Sequence, residues 1–223
     1  MKKFLAAASL VALLPLTGVA HADPLGTGYY VGAQAGFSNP GNINTRNIIN
    51  PAAQEEMEFS NGYAFSLMGG YRFASNFRTE LEVARRTYDA NRIMDDSGVF
   101  GPFNMSGDAT ITTVGANIFY DFNVNDIIIP YVGIGGGMSK FEVGVSRAGA
   151  GASNVWRAED DALYYQGMFG VAVPLQNIEL FGEYRYNSTY RMDAQSNFGA
   201  FTPDHNTEDF NNSTLSIGAR FHF

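Results

Sequence analysis

The feature that most constrains this chain is an apolar/polar alternation with a period of two, sustained over segments of ten or more residues. A strand of a soluble sheet usually runs about five or six residues, whereas a tilted strand crossing a bilayer needs about 9–11. In GYYVGAQAGFS, Tyr29, Val31, Ala33, Ala35 and Phe37 fall on one side, and Tyr30, Gly32, Gln34, Gly36 and Ser38 on the other. The first set is expected to face lipid and the second an enclosed lumen.

The pattern recurs along the chain. In NGYAFSLMGGYRF, Tyr63, Phe65, Leu67, Tyr71 and Phe73 alternate with Ala64, Ser66, Met68, Gly70 and Arg72. FRTELEVARRTY sets Phe77, Leu81 and Val83 against Arg78, Glu80, Glu82 and Arg86. DATITTVGANIFYDF sets Val114, Ala116, Ile118, Tyr120 and Phe122 against Thr113, Gly115, Asn117, Phe119 and Asp121. In IIIPYVGIGGGMSKFEV, Gly133, Gly135 and Gly137 leave space inside a crowded barrel, and Pro130 belongs near the strand's start. ALYYQGMFGVAV, IELFGEYRYNSTY and NNSTLSIGARFHF follow, with Gln166, then Glu179, Glu183, Arg185 and Asn187, then Arg220 and His222 at alternate positions. These segments predict eight strands.

Connection length gives a second, separate signal. Short links fall at Ala74-Ser75-Asn76, at 123–126 and at 174–177, and long ones at roughly 39–58, 89–107, 144–161 and 191–209. Structureless connections this long argue against a compact soluble domain, while short turns on one rim and long loops on the other are the plan of a membrane barrel. An even strand count places both termini on the short-turn, periplasmic side. A soluble sandwich or lipocalin-like barrel also alternates, but its inner positions are apolar and its outer ones charged. Here the charges share a face with Gly, Ser and Gln, and the bulky apolar residues point the other way.

The N-terminus predicts export. Lys2 and Lys3 precede the uncharged run FLAAASLVALLPLTGVA, and Ala20-His21-Ala22 has the small-residue spacing of a cleavage site. Pro15, Thr17 and Gly18 make the run a poor spanning helix. The expected organisation is therefore a signal peptide over 1–22 and a single domain over 23–223. Removal of the signal lowers Lys+Arg from 14 to 12 against 22 Asp+Glu, a net charge of −10. So acidic a chain repels a phosphate backbone, and nucleic acid is not an expected partner. The absence of cysteine excludes disulfide staples and thiol chemistry.

The segments GYYVGAQAGF, TELEVARR, ANIFYDF, PYVGIGGG, YYQGMFGVAV, EYRYN and SIGARFHF resemble the small outer-membrane β-barrel family that includes the OmpA transmembrane domain, OmpX-type proteins and related bacterial surface antigens. The resemblance implies an all-β fold, an eight-stranded antiparallel transmembrane barrel, in the outer membrane of a Gram-negative bacterium. It also implies that Leu215, Ile217, Phe221 and Phe223, on the same face as Ala219, form the terminal-strand signal read by the barrel assembly machinery. The family's motifs specify a fold and a location rather than a reaction.

The inward charges are the principal candidate site. Five cations, Arg72, Arg78, Arg86, Arg185 and Arg220, share the lumen parity with five acids, Glu80, Glu82, Asp121, Glu179 and Glu183. A barrel of about eight strands is only wide enough for its side chains, and unpaired charges there are costly. A paired network forms a polar plug; a water path lined by the same groups forms a narrow pore. Across the hairpin at Ala74 to Asn76, Arg72 is expected near Arg78 and Glu80, with Glu82 and Arg86 further toward the outer rim.

Glu80 and Glu82 have the composition of an acid/base pair, but the neighbouring arginines favour ion pairs. No enzymatic activity, cofactor or metal site is expected. His205 and His222 stand in no motif of a hydrolase triad or zinc site. The acidic clusters Glu55-Glu56, Asp95-Asp96 and Glu159-Asp160-Asp161 lack the spacing of a calcium loop. Phe100, Phe103, Phe198 and Phe201 in the long connections are candidates for contact with a host or cell-surface ligand. The expected partners are outer-membrane lipid and lipopolysaccharide, the assembly machinery, and such a ligand, with the chain a monomer. Three function classes follow: surface antigen or adhesin, small diffusion pore, and lipid-modifying enzyme.

Overall fold

The computed structural model describes residues 27–41, 43–46, 54–95, 103–122, 127–147, 155–190 and 210–223. The predicted signal peptide with Ala20 and Ala22, the turn at 123–126, the connection at 191–209, Asp96, Phe100 and His205 all lie outside the described residues. The strands are β1 (Gly28–Pro40), β2 (Ile43–Arg46), β3 (Gln54–Phe59), β4 (Gly62–Arg72), β5 (Phe77–Asp95), β6 (Phe103–Asp121), β7 (Ile129–Arg147), β8 (Val155–Leu175), β9 (Ile178–Thr189) and β10 (Phe210–His222). Each pairs antiparallel with its neighbour, in the order β4-β1-β10-β9-β8-β7-β6-β5, and β5 pairs with β4 to close an eight-stranded barrel.

The register fixes the barrel's dimensions. Starting at Asp121 and following partners once around, the path runs through Tyr131, Gly170, Glu183, Ser216, Gly36, Ala64 and Arg86, and returns to β6 at Ile111. The return is displaced by ten residues, the shear of the barrel. Eight strands with that shear, at a strand spacing of about 4.8 Å, tilt by about 40° and enclose a cylinder of backbone radius about 8 Å. An extended arginine reaches most of the way to such an axis, so inward side chains meet partners across the barrel as readily as beside them.

The alternation read in the sequence separates the two faces. Val31, Phe37, Phe65, Leu67, Leu81, Ile118, Ile134, Phe169, Leu215 and Ile217 are exposed outward, while Tyr30, Gln34, Ser66, Glu80, Asn117, Gln166 and Ser216 are buried. Around the short-turn rim, exposed rings touch in series: Tyr29 on Tyr71 and Tyr71 on Phe73 at 4.8 Å, Phe77 on Tyr120 and Tyr120 on Phe122 at 5.1 Å. This is the aromatic girdle expected where a barrel meets headgroups. Phe223 N donates to Tyr29 O at 3.1 Å, bringing the two ends of the barrel wall together on that rim.

Two turns use the left-handed backbone region. Asn76 has φ of 66° and Gln176 φ of 55°. At the second, Gln176-Asn177 alone joins the paired Leu175 and Ile178, and a positive φ at the first turn position suits a primed hairpin turn. Pro174 is therefore not part of the turn, as its composition had implied, but a strand residue opposite Glu179.

The long connections contain more strand than the sequence indicated. β5 continues to Asp95, β6 starts at Phe103, β7 continues to Arg147 and β8 starts at Val155. Within the connection at 39–58, β2 and β3 form a hairpin, and β3 takes over from β4 as the partner of β5 from Ala90 onward. The ladder satisfies backbone groups whether or not lipid is present, but above the bilayer neither face must be apolar. The period-two signal is lost there although the strand persists.

Candidate functional site in the barrel lumen

All ten charged residues that the alternation directs inward are at most 3 % exposed. Nine of them join one network, which rises in tiers from the short-turn rim.

The lowest tier is built on Asp121 and Glu179. Arg72 and Arg78 are direct cross-strand partners, and Asp121 Oδ2 lies 3.2 Å from Arg72 Nε and 2.9 Å from Arg78 Nε. Glu179 accepts Arg72 Nη2 on one oxygen and Arg220 Nη1 on the other, both at 2.6 Å. His222 Nε2 stands 3.7 Å from the same carboxylate. Arg72 stands opposite Arg78 and one diagonal step from Glu80, where the hairpin places it, while its ion pairs reach across the lumen to Asp121 on β6 and Glu179 on β9. The small radius is the reason, because it brings carboxylates from distant strands within reach of one guanidinium.

Aromatic rings fill the space around the next tier. The Arg78 guanidinium lies 4.5 Å from the Phe119 ring centroid and 5.0 Å from that of Tyr131, and that of Arg220 lies 3.8 Å from Phe181. Such stacking favours a buried cation when water is excluded. Tyr30 Oη donates to Glu80 Oε2 at 3.0 Å, while Arg220 Nε and Arg78 Nη1 stay at 3.8 and 3.9 Å from that carboxylate.

Arg185 organises the upper tier. It contacts Glu82 through Nη1 and Glu183 through Nη2, the latter at 2.7 Å. Asn117 Nδ2 donates to Glu82 at 3.1 Å and to Glu80 at 3.4 Å, while Gln166 Nε2 donates to Asn117 Oδ1 at 2.6 Å. Tyr131 Oη closes the tier on Glu183 at 3.0 Å. Space for these side chains comes from glycine: a Cβ at Gly135 would overlap Asn117, and one at Gly133 would overlap the Phe119 ring.

Arg86 stands apart. Its Nη1 donates to Thr113 Oγ1 at 3.4 Å, and its Nε has no partner. Above it the inward rings of Tyr88 and Phe141 pack on Phe210 at 6.4 and 6.2 Å between centroids. The bridging amides Asn117 and Gln166 sit at the inward positions that the alternation gives them, whereas Tyr131 and Phe181 belong to no set named in the sequence. Parity alone identifies them, since Phe181 lies between Glu179 and Glu183, and Tyr131 two residues before Gly133.

Chemically, the arrangement neutralises charge. The carboxylates of Asp121, Glu179, Glu82 and Glu183 are all engaged by guanidinium groups, and Glu80 accepts from Tyr30 and Asn117. Glu80 and Glu82 thus share Asn117 rather than flanking an open reaction space. Of the terminal-strand residues, Leu215, Ile217 and Phe221 point outward at 65, 76 and 48 % exposure, and Phe223 is half-buried. Asp161 is exposed; Glu55, Glu56, Asp95, Phe103, Glu159 and Asp160 belong to strand segments beyond the described side chains.

Comparison with known proteins agrees with this architecture. The barrel resembles the crystal structure of Neisserial surface protein A, with 19 % identity and a TM-score of 0.53 over 87 % of this chain and 97 % of that one. It also resembles a major outer membrane protein from Thermus thermophilus, with 12 % identity and a TM-score of 0.50 over 87 % and 99 % of the two chains. The outer membrane protein OprG from Pseudomonas aeruginosa gives 14 % identity and a TM-score of 0.50 over 88 % and 96 %. A search of curated sequences finds no significant match. Likeness at these identities carries the fold alone. The outer membrane protein beta-barrel domain family matches residues 5–223, and the chain belongs to that family.

Proposed function

We propose that this protein is a plugged surface barrel that acts through its extracellular connections, in the manner of a surface antigen or adhesin. The observation that carries this reading is the continuous ionic network from Arg72 and Glu179 up to Glu82 and Arg185, which occupies the lumen with paired side chains. In a barrel of this radius such a network occupies the section that a water column would need, which supports the plugged reading. One neighbour in fold is itself described as a surface protein. Export with removal of residues 1–22, residence of the monomer among outer-membrane lipid and lipopolysaccharide, and recognition of a host or cell-surface ligand by the connections belong to the same proposal.

A second reading, a small diffusion pore, is favoured by the upper lumen, where Asn187 and Asn212 bury polar atoms without protein partners. Single-channel recording in planar bilayers separates the two. The plug predicts no steady conductance, and a reproducible ohmic step from purified barrel would replace the surface-scaffold reading with the pore. Exchange of the extracellular connections for those of an unrelated barrel should abolish surface binding while leaving the barrel folded. The lipid-modifying alternative is tested by mass spectrometry of lipid A from expressing and non-expressing cells.

A further inference from the structure

We infer that the extracellular half of the lumen holds a binding site for a small monovalent anion of halide size, centred on Arg86. The polar residues Gln34, Ser66, Arg86, Arg185, Thr214 and Ser216, together with apolar Ala64, Phe65 and Ala84, line a cavity of ≈ 10 Å³, about the room that one water-sized sphere needs. Two guanidinium groups border this cavity, and no carboxylate does.

The charge distribution makes the cavity unlike the lumen beneath it. Below, four arginines meet five carboxylates, and Arg185 is already committed to Glu82 and Glu183. Arg86 is 2 % exposed, and among the described residues no carboxylate lies within ion-pair distance of it. Glu82, four residues down the same strand, is the acid whose charge reaches Arg86, but its carboxylate is held in ion pair by Arg185. A buried cation without a partner is strongly unfavourable. A water molecule would solvate it weakly, whereas an anion in the cavity cancels the charge.

The donor set fits. Arg86 Nε is free of any protein acceptor. Ser216 Oγ donates to Gln34 Oε1 at 3.0 Å, which leaves the Gln34 amide N–H groups available. Thr214 Oγ1 donates to Ser38 Oγ at 2.9 Å, which turns its proton away from the cavity. The arrangement offers an anion the guanidinium and amide N–H groups together with the Ser66 hydroxyl. The cavity's size admits a halide and excludes a phosphate or a sugar.

The test compares chloride with gluconate, an anion too large for the cavity, at equal ionic strength on the full barrel in detergent. With chloride at about ten times its dissociation constant, the thermal midpoint should rise by about 3–6 °C over gluconate. Arg86→Met should abolish that difference. Equal midpoints in the two salts, or a chloride effect that persists in Arg86→Met, would overturn the site. Diffraction from wild-type crystals grown in bromide needs no variant: an anomalous peak beside Arg86 supports the site, and an ordered water at that position refutes it.

Discussion

Arg72 and Arg78 face each other directly across β4 and β5, two like charges in one register position at the short-turn end of the lumen. Like charges so placed repel, and the pair persists because Asp121 reaches both guanidinium groups from β6. Asp121→Asn preserves shape and removes the shared counter-charge. It should cost about 3–5 kcal/mol in reversible urea unfolding from detergent, as loss of a buried partner does. A cost below about 1 kcal/mol would mean that water screens this tier.

Glu179 and Glu80 are both buried acids of the plug but are held differently. Two arginines contact Glu179 at 2.6 Å, whereas Glu80 takes its shorter hydrogen bond from a phenol, with cations at 3.8 and 3.9 Å. Replacement by glutamine should therefore be unequal. Glu179→Gln should cost about 3–5 kcal/mol and Glu80→Gln less than half as much, since a neutral amide oxygen still accepts from Tyr30. Chemical denaturation of the two variants under one set of conditions checks the order, and the reverse order would contradict the assigned pairings.

Gly135 makes room for Asn117, which ties Glu80, Glu82 and Gln166 together. In Gly135→Val the new side chain displaces the Asn117 amide and meets Ala116 O, since even a Cβ would lie 2.8 Å from that oxygen. The expected loss is about 1–3 kcal/mol. Gly167, whose added Cβ meets nothing within 4 Å, is the control, and Gly167→Ala should be nearly silent in the same assay.

Phe223 joins β10 to β1, with its N–H on Tyr29 O and its ring stacked 6.4 Å from Phe221. Deleting Phe223, or replacing it with Asp, should prevent insertion while export proceeds. Heat-modifiable barrel would disappear from the outer membrane and protein would collect in the periplasm. Wild-type levels of folded barrel in the deletion would rule out an assembly role for this residue.

Protease applied to intact cells should cut within 96–102, 148–154 and 191–209 and spare the turns at Ser75 and Gln176. Those turns share the rim that carries both ends of the barrel, and exposed connections are the sites proteases prefer. Mass mapping of the fragments reads the result, and cleavage at Ser75 or Gln176 in intact cells would invert the orientation.

The sequence by itself determined which side of each membrane strand faces inward, because a period of two assigns every residue to lipid or lumen before any partner is known. Tyr30, Glu80, Asn117, Glu183 and Arg220 could all be placed inside by counting. Where the strands leave the bilayer that information ends, so the sequence does not distinguish the extensions of β5 to β8 and the β2–β3 hairpin from loop. Partner choice was likewise beyond reach. Parity says that Arg72 points inward, but only the eight-stranded closure with a shear of ten residues brings it to Asp121 and Glu179, and leaves Arg86 outside the ion-pair network. Which charge meets which depends on the radius and stagger of the closed barrel, quantities that arise from all the strand registers together and are written in no single strand.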